Sequence, residues 1–121
     1  MQHRTKYENE LMGKLERQGY VCVRSAGSHG YADLVAIDAF WVRVIQVKST
    51  IALDRPGNVT VFADAIMGLF HVPIGRATVA LELWVRVLRG GWWKLDVTDM
   101  QRDRVQVVKV LQGNFWTHWK D

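Results

Sequence analysis

The run 32–49, ADLVAIDAFWVRVIQVKS, limits the fold more than any other part of the chain. It is rich in Val, Ile, Phe and Trp, and it breaks once, near Asp38 and Ala39. Such composition predicts two strands, over 32–38 and 40–49, joined by a tight connection. Side chains two apart in a strand share a face. Val42, Val44, Gln46 and Lys48 therefore fall on one face, with Ile45 and Val47 on the other. Apolar residues on both faces make this a buried strand. If the two segments pair as a hairpin, Asp33 lands beside the 46–48 end of its neighbour, so a carboxylate, an amide and an ammonium meet at one edge of a sheet.

The flanking patterns supply the layers. KYENELMGKLERQ, 6–18, repeats apolar residues at Tyr7, Leu11 and Leu15 and stops at Gly19, which predicts a helix. YVCVRS, 20–25, alternates like a strand, and AGSHG, 26–30, is a loop. Residues 53–60 read as a second loop with a turn at Pro56-Gly57. VFADAIMGLF, 61–70, reads as a helix with Asn58 or Thr60 as N-cap and Pro73 beyond its end. Residues 77–89 and 92–98 read as a hairpin turning at Gly90-Gly91. Residues 101–112 fit helix and strand spacing alike, with helix preferred, and the tail NFWTHWKD is aromatic and basic. Helix, three strands, helix and hairpin make an α/β domain around a mixed sheet, single over 1–121. A doubly wound pattern would alternate strand and helix throughout.

Several side chains carry chemistry in this arrangement. With about 100° per residue from Tyr7, Glu8 falls inside the apolar arc of the first helix and Glu10 outside it. A carboxylate turned inward needs a charged or hydrogen-bonding partner. Oxygen atoms from Glu8, Asp33 and Gln46 suit a hard divalent cation such as Mg²⁺, with water completing its shell. Lys48 is placed to orient or deprotonate a water, or to neutralise a phosphoryl oxygen. The competing reading is structural: Glu8 as a rim acid paired with a Lys, Lys48 salt-bridged to Asp33, and Gln46 facing solvent. In the loop before Asp33, the side chains of Arg24, Ser25 and Ser28 and the amides of Gly27 and Gly30 suit phosphate oxygens. Arg4, Lys6 and Arg55 extend a basic path. A solvated turn with ordinary surface charge is the alternative.

Composition narrows the partners. The net charge of +4 favours a polyanion, with nucleic acid first. Cys22 is the single cysteine, so it forms no internal disulfide and reads as a buried free thiol in a reducing compartment. No CxxC or HxxxH spacing points to zinc, and His3, His29, His71 and His118 are scattered. No leader pattern and no apolar run of about 18 residues is present, which predicts a cytoplasmic protein with no membrane partner. Six Trp in so short a chain suggest an interface, with Trp84, Trp92 and Trp93 as candidates against ordinary core packing.

The segments ENEL (8–11), YVCVRSAGSHGYADLVA (20–36) and IQVKS (45–49) together resemble the archaeal-type Holliday-junction resolvases, within the PD-(D/E)xK nuclease superfamily. The likeness covers residues 5–50 well and the remainder by order and length of elements only. VRSAGS followed closely by an Asp is its more specific part, whereas Asp followed by QxK recurs in other nucleases. The resemblance implies a restriction-endonuclease-like core and Mg²⁺-dependent phosphodiester hydrolysis, with Mn²⁺ as a substitute. It also implies a homodimer that nicks two opposed strands of a four-way DNA junction, in a prokaryotic cell or a virus replicating in one. By motif position, Glu8 is the helix acid, Asp33 the metal-binding Asp and Lys48 the catalytic Lys, with Ser28 or Ser25 as the serine near the scissile strand.

Gln46 departs from that pattern, which carries Glu at its place. An amide offers a carbonyl oxygen but no charge, so it is the weaker ligand. The retained set of Glu8, Asp33 and Lys48 argues for an active site that leans on the acids and the substrate phosphate. Two other readings stand beside it. A restriction-like or Mrr-like nuclease would cut duplex DNA, although a single-domain chain leaves no residues for a recognition domain. A non-catalytic junction-binding module would bind with salt-dependent affinity and cut nothing.

Overall fold

The computed structural model describes residues 2–25, 31–73 and 78–120, with side chains described from residue 6 onward. The chain runs α1 (Gln2–Arg17), β1 (Val21–Arg24), β2 (Leu34–Ile37), β3 (Val42–Thr50), α2 (Asn58–Leu69), β4 (Val79–Val87), β5 (Gly91–Asp96), α3 (Arg104–Leu111) and β6 (Thr117–Trp119). The strands form one sheet in sequence order. Every neighbouring pair is antiparallel except β3 and β4, which are parallel. A parallel pair needs a crossover, and α2 supplies it.

The two faces of β3 sort the helices. Leu11 and Leu15 of α1 pack with Leu34, Ala36, Ile45, Val47, Trp84 and Trp92. On the other face, Val44 joins Leu81, Leu83, Val85 and Leu95 beneath Phe62, Ile66 and Leu69 of α2 and Val107 of α3. The expected α/β class with a mixed sheet between helices is the one found. α1 covers β1, β2 and β3, while α2 covers β3 and β4. The α2-side face of β1 and β2 is therefore left open: Val21 is 66%, Val23 54% and Ile37 39% exposed. Beside them in the β2–β3 turn, Phe40 is 78% and Trp41 46% exposed.

Several boundaries differ from the sequence reading for local reasons. α2 starts at Asn58, not at 61, and neither Asn58 nor Thr60 caps it. The cap is Gly57, in the left-handed region at φ 91°, which glycine reaches without a Cβ clash. The Asn58 amide instead turns back to Thr50 Oγ1 and the carbonyls of Ala52 and Leu53, tying the loop to the end of β3. Residues 104–111 are helical, capped by Asp103, whose side chain accepts from the Val105 amide at 3.1 Å. The 38–41 turn is also closed by a side chain: Asp38 Oδ1 accepts from the amides of Phe40 and Trp41. Those two N–H donors hold the Asp38 carboxyl below its ordinary range.

The tail forms a sixth strand on the outer edge of β5. There Trp119 meets Trp84 edge to face at 5.3 Å, and Trp84 meets Trp92 in the same way at 6.3 Å. Trp84 and Trp92 are each 2% exposed, which removes them as interface candidates, and Trp93 is partly buried. No described helix is long and apolar enough to cross a membrane.

Candidate active site

The hairpin of β2 and β3 forks at one end, and the fork builds the site. The last paired positions are Leu34 and Ile45. One step further the register brings Asp33 opposite Gln46, so both belong to the α2-side face. The Asp33 amide still donates to the Ile45 carbonyl at 2.8 Å. Beyond it the backbones part, and the Asp33 carboxylate replaces the missing strand by accepting from the Val47 amide at 2.8 Å. This bond explains how an acid that is 6% exposed is held at the end of a short strand.

Gln46 is 8% exposed, and its Nε2 donates to the Tyr31 carbonyl at 2.9 Å. That bond fixes the amide orientation: the nitrogen points at Tyr31, and the carbonyl oxygen is the end left for an electrophile. α2 closes over the amide at Gly68, where a Cβ would lie 3.9 Å from Gln46 Nε2. Lys48 follows two residues later on the same face, half-buried and with no ion-pair partner among the described residues. The structural alternative for Lys48 and Gln46, a salt bridge to Asp33 beside a solvent-facing amide, is not what the chain adopts.

Glu8 approaches the same end of the sheet from the α1 side. It is 6% exposed, and its Oε1 lies 3.4 Å from Nε of Arg24. Arg24 pairs with Leu34 at the fork and also donates to Asn9 Oδ1 at 3.3 Å. The next residue, Ser25, donates its amide to the Asp33 carbonyl at 2.9 Å. The inward acid predicted from helical spacing is thus met by Arg24 among the described residues. Lys6 is exposed, with its ammonium 5.6 Å from the Tyr7 ring, and Arg55 is exposed in the loop after β3. The Arg4 side chain and all of Gly27, Ser28 and Gly30 lie outside the described residues.

The donor set fits a hard cation of the Mg²⁺ type. A buried carboxylate and a buried amide carbonyl oppose each other at the fork, and such ions take one or two protein oxygens and complete the shell with water and phosphate. Among the described residues no three His, Cys, Asp or Glu side chains gather into a metal-binding group.

Two features of the surroundings escaped the sequence reading. Glu82 is completely buried on the α1-side face, ion-paired to Arg43 and accepting from Trp84 Nε1 at 2.8 Å. Burial disfavours charge on Arg43, but the Tyr20 hydroxyl, 2.8 Å from its Nε, and the Glu82 carboxylate outweigh that and push its pKa up. The second feature is a parallel stack of Tyr31 on His71, with centroids 4.5 Å apart and planes 15° apart. Cys22 is a free thiol as read but only partly buried; burial first, then the Glu16 charge, push the thiol up, away from the reactive thiolate.

No family model matches the chain, and no curated protein does. Among solved structures, it is similar to Hjc, a Holliday junction resolvase from the archaeal hyperthermophile Archaeoglobus fulgidus. The match covers 78% of this chain and 73% of that one, with a TM-score of 0.55 and 21% identity. At that identity the likeness is one of fold: the chain has the restriction-endonuclease-like α/β core, a mixed sheet flanked by helices, that the resolvase also has.

Proposed function

We propose that this protein is a structure-selective endodeoxyribonuclease that resolves four-way DNA junctions by paired, symmetric nicks. The observation that carries the reading is the fork itself. Asp33, Gln46 and Lys48 share one face at one end of the sheet, in a fold like that of a junction resolvase. Asp33 and the carbonyl oxygen of Gln46 are the groups that would hold the divalent cation, and Glu8 reaches the same end of the sheet from the α1 side. When bound, the cation supplies positive charge that polarises the phosphodiester. Lys48 orients the attacking water or neutralises a phosphoryl oxygen. Arg24, Ser25 and, from the sequence, Gly27, Ser28 and Gly30 are the groups that would meet phosphate oxygens, with Arg4, Lys6 and Arg55 as further basic contacts.

Two nicks related by the approximate two-fold symmetry of a junction call for two copies of the site, so the working form is a homodimer. The open face of β1 and β2, with Phe40 and Trp41, supports that assembly, because exposed apolar patches of this kind mark protein interfaces.

The test is single-turnover cleavage of a labelled four-way junction in Mg²⁺, beside linear duplex of the same sequence and an Asp33→Asn control. Symmetric paired nicks in the junction, intact duplex and a silent control are expected. Equal cutting of duplex would move the protein to the general nucleases. Junction binding without cleavage in both Mg²⁺ and Mn²⁺ would leave a binding module, with Gln46 as its reason.

A further inference from the structure

Tyr31 and His71 form a ring platform that the chemistry above does not use. Tyr31 is two residues before Asp33, a span of at most about 7 Å of chain. Its carbonyl is the acceptor for Gln46 Nε2, so the segment is bonded directly to the candidate metal-binding amide. His71 follows the end of α2, its amide donating to the carbonyl of Gly68, the residue that faces the same amide. The stack is therefore fixed to the site from both sides. It is also open: Tyr31 remains 50% exposed although one face of its ring is covered, and His71 is exposed. Two rings held parallel in water bury little apolar surface of their own. They present a flat π-surface of the kind on which nucleobases stack.

We infer that the Tyr31–His71 pair is a base-stacking subsite that receives a nucleobase unstacked at the branch point, one nucleotide from the phosphate held at Asp33 and Gln46. This rests on the DNA-cleaving reading and deepens it, because it gives a physical reason for choosing a junction. Bases inside a duplex are covered on both faces and have none free for the ring. A branch point loses stacking where strands exchange, so a base there reaches the platform at small cost. Hydrogen bonds from Arg24 or Ser25 to phosphate are available on duplex and junction alike, whereas the platform rewards only the branched form.

The experiment uses the full chain in EDTA, where binding is separated from cleavage, with 2-aminopurine placed at the branch point of a four-way junction. Stacking on an aromatic ring quenches its fluorescence. The wild type is expected to quench the probe. Tyr31→Leu is expected to lose the quench and to weaken junction binding by about 5- to 150-fold, leaving duplex binding unchanged. Tyr31→Phe keeps the ring and is expected to behave as wild type. Should Tyr31→Leu fail to fold, His71→Leu removes the other ring of the platform, at the exposed end of α2, and the same losses are expected.

A wild type that binds and quenches alongside a folded Tyr31→Leu variant that does both equally well overturns the inference alone. Loss of the quench in Tyr31→Phe as well overturns stacking in favour of the hydroxyl. Equal weakening on junction and duplex, or a change of oligomeric state in Tyr31→Leu, overturns it in favour of a general contact or a protein interface. A wild type that binds no junction removes the DNA reading and this one together.

Discussion

Gln46→Glu separates the two roles given to that side chain, because the structure states what the amide donates. The replacement swaps the N–H that now meets the Tyr31 carbonyl at 2.9 Å for an oxygen, so two acceptors face each other at a position 8% exposed. An ionised carboxylate there loses a hydrogen bond and leaves an acceptor unsatisfied, which costs about 1–3 kcal/mol before any repulsion from Asp33. The variant has one escape: it takes up a proton and donates O–H to Tyr31, restoring the bond. Keeping a Glu of ordinary pKa protonated at pH 7 costs about 3.7 kcal/mol, from about 2.7 units at 1.36 kcal/mol each, which caps the penalty. The sign follows. A carboxyl whose folded pKa is raised destabilises above its unfolded pKa, so the penalty is full near neutral pH and fades towards about pH 4. The assay is urea unfolding of wild type and variant in EDTA at both pH values. In Mg²⁺ at neutral pH the variant is expected to recover, because a cation that binds only the folded chain adds about 2.7 kcal/mol at a hundredfold excess over its Kd. Equal stability of the two proteins at pH 7 in EDTA would refute the hydrogen-bond geometry. A variant that stays destabilised and is untouched by Mg²⁺ or Mn²⁺ would refute the metal assignment.

Three further outcomes follow from the same structure. Glu82→Ala leaves the Arg43 guanidinium without its carboxylate, though still bonded to the Tyr20 hydroxyl, and the Trp84 indole N–H without its acceptor, and should cost about 3–5 kcal/mol in urea unfolding, whereas Glu82→Leu combined with Arg43→Met should lie much closer to wild type. Asp38→Asn should flatten the acid limb of the stability profile: the Asp38 carboxyl is held low by the Phe40 and Trp41 amides, so its contribution is present above the ordinary carboxyl pKa and lost as pH falls through the lowered one. A Phe40→Lys, Trp41→Lys double variant should sediment as a monomer under conditions where the wild type is a dimer, with its unfolding midpoint unchanged relative to a monomeric reference.

What was legible in the sequence was what local periodicity encodes. Alternation along 40–49 put Gln46 and Lys48 on one face, and the short connection at Asp38 forced the hairpin that carries Asp33 to them. Helical spacing turned Glu8 inward. What stayed hidden depends on partners distant in the chain. Trp119 belongs to a strand only because β5 offers it an edge and Trp84 a ring to pack on, and a three-residue strand has too little pattern to announce itself. Arg43 and Glu82 each look like a surface charge in a strand, and their meeting depends on a parallel pairing that no local signal specifies. Asn58 has the composition of a helix cap, yet its amide is taken by three loop acceptors and the cap falls to Gly57.

The Arg43–Glu82 pair has a consequence for alignment. Along β3 and β4 half of the facing side chains are Val, Leu or Ile, which are nearly exchangeable in shape. Sliding β4 by two residues would keep every side chain on its own face, so hydrophobicity alone barely resists it. The ion pair resists one direction of slip: moving Glu82 from its place opposite Ile45 to one opposite Val47 carries the carboxylate about 7 Å further from the Arg43 guanidinium and leaves a fully buried acid without its partner. β4 follows α2 in the chain, so its alignment also fixes where α2 comes to rest on the sheet. A salt bridge on one side of the sheet thereby guards, against slip in that direction, the placement that sets Gly68 over Gln46 on the other.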